Sequence, residues 1–141
     1  MKKEKSCGAV IFWTHNDERQ FLLVQHRSGH WGFPKGHVER NEKELETALR
    51  EVHEETGVEI DILPNFRRRI EYRPCVNHIK EVIYFVASYV SGEATPQESE
   101  LRTLGWFEYN AALEQLTFSN DRAVLIEANK FIQNSLSCQN E

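Results

Sequence analysis

Gly36 to Val58 reads GHVERNEKELETALREVHEETGV, a helix with charges where a free-standing helix would not put them. Asn41 suits the N-cap, and Glu42 and Glu44 then fall in the first turn, where negative charge is favourable. Leu45, Ala48, Leu49 and Val52 follow i, i+3, i+4, i+7 spacing and are expected to face the core. Glu46 and Arg50 form an i,i+4 pair in the favourable orientation. Gly57 suits the left-handed position that ends a helix, so the spacing predicts a helix over Glu42–Thr56. Near its end, Glu51 and Glu55 lie within roughly 40° of each other around the axis, and Glu51 and Glu54 within roughly 60°. Like charges at these spacings destabilise a helix, and the last turn also faces the negative end of the helix dipole. Local stability does not account for them. A bound divalent cation would, because hard cations take carboxylate oxygens. A solvated acidic face is the plain alternative; the dipole conflict and the loop that precedes the helix weigh against it.

That loop, Trp31-Gly32-Phe33-Pro34-Lys35-Gly36-His37, is rich in turn residues. Gly36 allows close backbone approach, and Lys35 and His37 bring cationic or hydrogen-bonding groups near the carboxylates. A cation-binding acidic face beside a basic loop is what a metal-bound polyphosphate needs.

The segment resembles the Nudix box, G-x5-E-x7-R-E-U-x-E-E-x-G-U, and agrees with it at Gly36, Glu42, Arg50, Glu51, Val52, Glu54, Glu55, Gly57 and Val58. The resemblance implies an α/β fold with a mixed β-sheet sandwiched between helices (α-β-α). It also implies metal-dependent hydrolysis of nucleoside diphosphates linked to another moiety, with magnesium or manganese. Outside the box the chain looks similar to the asymmetric diadenosine tetraphosphate hydrolases. His30 to Glu39 is similar to their pre-box loop, Tyr72 with Lys80–Phe85 to their central strand pair, and Glu98-Ser99-Glu100 before Trp106 to their acidic loop. The implied reaction is diadenosine tetraphosphate plus water to ATP plus AMP. Other Nudix pyrophosphohydrolases, acting on nucleoside triphosphates, ADP-ribose or RNA 5′ ends, are the alternatives. A non-enzymatic nucleotide-sensing module is a further one, although every box glutamate is present.

On this reading Gly36 (through its carbonyl), Glu51, Glu54, Glu55 and Glu100 are the metal ligands, and Glu54 or Glu100 accepts the proton of the attacking water. Arg50 orients the carboxylates. Lys35, His37 and Lys80 hold phosphates, and Tyr72, Tyr84 and Phe118 stack on or flank the base. Arg67-Arg68-Arg69 reads as a solvated basic run, and His53, His15, His26 and His78 receive no role.

A chain of 141 residues fits a single domain. Its net charge of −5 argues against general nucleic-acid binding and leaves room for a small polyanion at a local basic patch. Cys7, Cys75 and Cys138 are scattered, with no zinc spacing, and are expected to be reduced thiols of a cytoplasmic protein. No secretory or membrane segment is read, and a monomer or weak dimer is expected. Strands are expected at Cys7–Trp13 and Gln20–His26, joined at Asn16-Asp17, and at Phe66–Arg73, Glu81–Val90 and Leu104–Phe107. Val82–Val86, nearly continuous in apolar residues, should be central. A short helix is expected at Ala111–Leu116. A last helix, capped by Ser119 or Asn120, should bury Val124, Leu125, Ala128, Phe131 and Ile132, with fraying from Ser135 to Glu141.

Overall fold

Asn16 and Asp17 both take positive φ, 52° and 63°, the two left-handed residues of a tight hairpin. They join β1 (Lys2–His15) to β2 (Glu18–His26), as the sequence predicts. The computed structural model describes residues 1–139, with side chains through Leu136. The described elements continue as β3 (Trp31–Gly32), β4 (Lys35–His37), α1 (Glu44–Thr56), β5 (Glu59–Ile62), β6 (Arg68–Cys75), β7 (His78–Ser91), β8 (Leu101–Glu108), α2 (Tyr109–Gln115) and α3 (Ser119–Gln139).

The centre of the sheet is a parallel pair. β1 runs beside β7 from Lys2↔His78 to Phe12↔Ser88, and the other described pairings are antiparallel. This long register explains why both strands exceed their predicted spans: the ladder continues into polar residues that carry no strand signal of their own. Side chains then alternate between two layers. Val10, Phe12, Phe21, Leu23, Val82, Tyr84 and Val86 face the side covered by α2 and α3. Ala9, Ile11, Leu22 and Ala87 face the side of Val52 on α1, and Cys7, Ile83 and Phe85 that of Ala48. The expected α-β-α sandwich is the observed architecture.

Several expectations need correction. α1 begins at Glu44 with Lys43 at its N-cap; Asn41 instead holds a left-handed turn at φ 65°. Glu42 therefore lies outside the helix, and the first turn carries Glu44 and Glu46. Leu45 and Leu49 are 49% and 44% exposed, while Thr47, Ala48, Val52, Glu55 and Thr56 are buried. The inward face of α1 is thus rotated toward its glutamates. Strands β3, β4 and β5 were not expected; each is too short to show periodicity. Arg67 precedes β6; the three arginines of the basic run are exposed, in keeping with the solvated reading, and each is also ion-paired: Arg67 with Glu44, Arg68 with Glu127, and Arg69 with Glu71 and Glu81. α3 includes Ser119 and Asn120 and runs through Gln139; the remainder of the segment expected to fray, 140–141, lies outside the described residues. Cys7 is buried, with its thiol pushed up to about 11 by desolvation, Cys75 is exposed, and both are free; the Cys138 side chain lies outside the described residues. No described helix is long and apolar enough to cross a membrane.

β4 reaches its place because Gly8 on β1 lets it. Gly8 pairs with Lys35, and a Cβ there would collide with the Pro34 carbonyl oxygen and the Lys35 Cβ. Gly8→Ala should therefore cost about 1–3 kcal/mol as an overpacked contact. Thermal unfolding checks this; an unchanged melting temperature would show that β4 is not held by close approach.

Candidate active site

α1 delivers three glutamates, Glu51, Glu54 and Glu55, to a cleft of about 530 Å³ formed with β4, β6, β7 and the loop before β8. Arg50 organises them. Its Nε and Nη2 donate to the two Glu42 carboxylate oxygens at 2.7 and 3.0 Å. Its Nη1 donates to Glu51 Oε1 at 2.8 Å and to Glu54 Oε2 at 3.1 Å. Nη2 also donates to the His37 carbonyl at 2.9 Å, fixing β4 against the helix. The expected partner, Glu46, is not among these: its carboxylate accepts from the Lys43 N–H at the start of α1. Glu42 takes that place because the turn at Asn41 folds it back alongside Arg50. Hydrogen bonds from Arg50, Thr47 and the Glu39 backbone hold the Glu42 carboxyl down to about 2, so it stays ionised as Arg50's anchor.

Glu55 is the unusual group. It is 5% exposed, and its Oε2 accepts only from the Lys35 backbone N–H, at 3.1 Å, among the described residues. Burial, against the weaker help of that hydrogen bond and with Glu51 nearby, pushes its carboxyl up to about 8. Burial also raises Glu51, with Arg50 opposing. Gly36 sits directly over Glu51, where a Cβ would fall inside the carboxylate. The glycine predicted to allow close approach to a ligand thus first allows the approach of Glu51.

The loop before β8 is docked by backbone bonds. Gln97 N–H donates to the Glu55 carbonyl at 2.9 Å, Thr95 N–H to that of Thr56 at 2.9 Å, and Glu100 N–H to that of Gln97 at 3.0 Å. These bring Glu100 to the cleft wall. Lys80 and His37 stand at the rim, each with its side-chain nitrogen 3.7 Å from Glu4 Oε2. His53, on the far side of α1, is exposed and pairs with Glu59.

A second cavity of about 190 Å³ joins this cleft, and Lys35, Tyr72, His26 and His30 line both. Phe118, 51% exposed, stands at this cavity against the His30 ring, 5.4 Å between centroids. Tyr84 is completely buried; its ring meets Phe33 edge-on at 5.3 Å, so it forms floor rather than a free stacking surface. Two residues that spacing did not single out line this cavity. His26 carries a buried Nε2 without a hydrogen-bond partner among the described residues, and burial lowers its imidazole to about 4. Asp121, 6% exposed, sits in the first turn of α3. Both are brought in by tertiary packing, and no local pattern announces them.

The donor set suits a hard divalent cation. Glu55 is a buried carboxylate with no cationic side chain hydrogen-bonded to it among the described residues, Glu51 lies one helical turn before it and Glu54 next to it, and the Gly36 backbone is in contact with Glu51. Among the described residues no three side chains are gathered as a closed metal site. Arg50 holds Glu51 and Glu54 instead, supplying the countercharge that the cluster requires.

A family model described as the NUDIX domain matches residues 5–128. The chain is 36% identical over 140 residues to the asymmetrical bis(5′-nucleosyl)-tetraphosphatase of Rattus norvegicus, covering 91% of this chain and 95% of that protein. It is 36% identical over 106 residues to an 8-oxo-(d)GTP phosphatase of Mycolicibacterium smegmatis, covering 74% of this chain and 32% of that one. Among solved structures, a C. elegans Ap4A hydrolase binary complex superposes with a TM-score of 0.85 at 25% identity, covering 93% of this chain and 98% of that one.

The raised Glu55 carboxyl has a consequence for stability. Without cation, the folded chain retains a proton on Glu55 from pH 4.5, its ordinary value, to about 8, while the unfolded chain has released it. The folded state binds more protons in that window, so stability is full below pH 4.5 and falls as pH rises through about 8. Glu55→Gln should remove this slope and stabilise the cation-free protein above pH 8, on the order of a few kcal/mol. Thermal melts in EDTA across pH 5–9 check it; parallel curves for both proteins would contradict the burial of an uncompensated carboxylate.

Proposed function

The chain belongs to the Nudix family and is a Nudix pyrophosphohydrolase, and we propose that it splits diadenosine tetraphosphate asymmetrically into ATP and AMP. The observation that carries the substrate is the junction at Lys35. A polar cleft lined by carboxylates meets a partly apolar cavity lined by Tyr72 and Phe118, and Lys35 belongs to both. A polyphosphate in the cleft with a base in the cavity fits that arrangement. The tetraphosphatase relative, similar along nearly its whole length, supports the same reading.

Glu51, Glu54, Glu55, the Gly36 carbonyl and Glu100 would hold magnesium, or manganese, within the cleft. Such a cation neutralises charge on the phosphoryl oxygens and orients water. The protein's own groups do the rest. Water oxygen attacks phosphorus, the anhydride P–O bond breaks, and the leaving phosphate takes its electron pair. Glu54, the more exposed carboxylate of the cluster, accepts the proton from that water, and Glu100 is the second candidate from the opposite wall. Arg50 positions Glu51 and Glu54. Lys35, Lys80 and His37 take the phosphates. The enzyme would act in the cytoplasm as a monomer or weak dimer.

Chromatographic product analysis with magnesium tests the substrate, over diadenosine tetraphosphate, ADP-ribose, dATP, 8-oxo-dGTP and 5′-triphosphorylated RNA. ATP plus AMP from the first, formed faster than any other product, is the expected result; a faster turnover of another compound would reassign the substrate. Glu54→Gln should lower kcat about a hundredfold or more, and Glu100→Gln less; the reverse order would make Glu100 the base. Tyr72→Ala should raise KM for the dinucleotide about tenfold with a smaller effect on kcat, and an unchanged KM would remove Tyr72 from the site.

A further inference from the structure

The 190 Å³ cavity beside the cleft ends on a carboxyl group that the hydrolytic chemistry does not use. Asp121 is 6% exposed, and among the described residues its side chain has one hydrogen-bond partner, the Tyr84 hydroxyl, which donates to Oδ1 at 3.3 Å. The ordinary use of an acidic residue in a first helical turn is to accept from that turn's own N–H groups. Asp121 is not seen doing so; it points into the cavity. Gly32 faces its second oxygen, and a Cβ on Gly32 would come within 3.3 Å of Oδ2, so the glycine keeps the space in front of that oxygen open. Burial raises the Asp121 carboxyl, and Lys35 and the Tyr84 hydroxyl oppose the rise.

Oδ2 has no partner among the described residues and is open to the cavity, so a donor placed there gains a hydrogen bond to a largely buried carboxyl. The walls suggest what that donor is. Ile70, Tyr72, Val82 and Phe118 offer apolar and aromatic surface to a flat ring, and Lys35 stands where the cavity opens to the carboxylate cleft. This inference rests on the reading that a nucleotide occupies the joined cavities.

We propose that Asp121 is the specificity-determining residue of the base pocket, with its open carboxyl oxygen accepting the 6-amino N–H of an adenine whose phosphates pass Lys35 into the cleft. A 6-oxo purine would set a carbonyl oxygen against that acceptor and is disfavoured. A buried hydrogen-bonding group of this kind discriminates because the wrong base leaves it unpaired.

The test is a thermodynamic cycle read by calorimetric binding in EDTA buffer, with AMP and purine riboside 5′-monophosphate as probes. The second lacks only the 6-amino group. The wild-type chain should bind AMP about tenfold or more tightly than the riboside. Asp121→Ala should lower the ratio to near one, because the partner of the amino group is gone. Asp121→Asn keeps the shape and an uncharged acceptor for the Tyr84 hydroxyl, and should leave a reduced ratio; it carries the test if the alanine variant does not fold. An equal ratio in wild type and variants overturns the assignment, as does failure of the wild type to bind AMP at millimolar concentration. Tighter binding of GMP than AMP that depends on Asp121 would also overturn it, since the carboxylate would then read the N1–H and 2-amino edge. This readout is independent of turnover. If diadenosine tetraphosphate proves a poor substrate while the AMP cycle holds, only the proposed reaction fails; if the dinucleotide is cleaved to ATP and AMP while the cycle shows no coupling, only the role of Asp121 fails.

Discussion

One guanidinium holds the active region together. Arg50 bonds to Glu42, Glu51 and Glu54 and to the His37 carbonyl, so the turn before α1, the end of α1 and strand β4 share a single cation. Three carboxylates gathered this closely would repel one another and favour protonation without it. Arginine suits the position because its planar fork can serve a bidentate partner and still present further N–H groups elsewhere; lysine could not. With that anchor in place, Glu55 can be carried into the sheet–helix interface, where burial raises its carboxyl to about 8.

The same arrangement sets stability against function. α1 spends part of its inward face on Glu55 and half-buried Glu51, and leaves Leu45 and Leu49 exposed. A helix chosen for packing alone would rotate those leucines inward. Its hold on the sheet comes from Ala48 and Val52, and from close backbone approach at Gly8 and Gly36, which bring β4 and the helix nearer than side chains would allow. The part of the structure where local preference conflicts with the fold is therefore the part proposed to do the chemistry.

The sequence was most informative where its logic was local. The box spacing marked Glu51, Glu54 and Glu55 as misplaced for a free helix, and the hairpin at Asn16-Asp17 was visible from its turn residues. Of the expected inward face of α1, Ala48 and Val52 are buried, but Leu45 and Leu49 are not, because a carboxylate, Glu55, takes the inward direction beside them. Arg50 was paired with Glu46 because both are helical; its true partner, Glu42, reaches it through the left-handed turn at Asn41, which i,i+4 arithmetic does not register. β1 and β7 proved longer than their apolar runs because a parallel ladder extends beyond them. His26 receives no role from the sequence and Asp121 is not singled out there, because a lone polar residue carries no periodicity, and only the fold brings each to the cavity.

On this reading the α1 carboxylates form a site for a divalent cation in which Arg50 holds the ligands in readiness. Anomalous diffraction at the manganese edge, from crystals equilibrated with Mn²⁺, addresses it without reference to turnover. A peak is expected in the cleft bounded by Gly36, Glu51, Glu55 and Glu100, lost in the Glu55→Gln variant. A strong peak elsewhere with this cleft empty, or a peak that survives the loss of Glu55 unchanged, would contradict it.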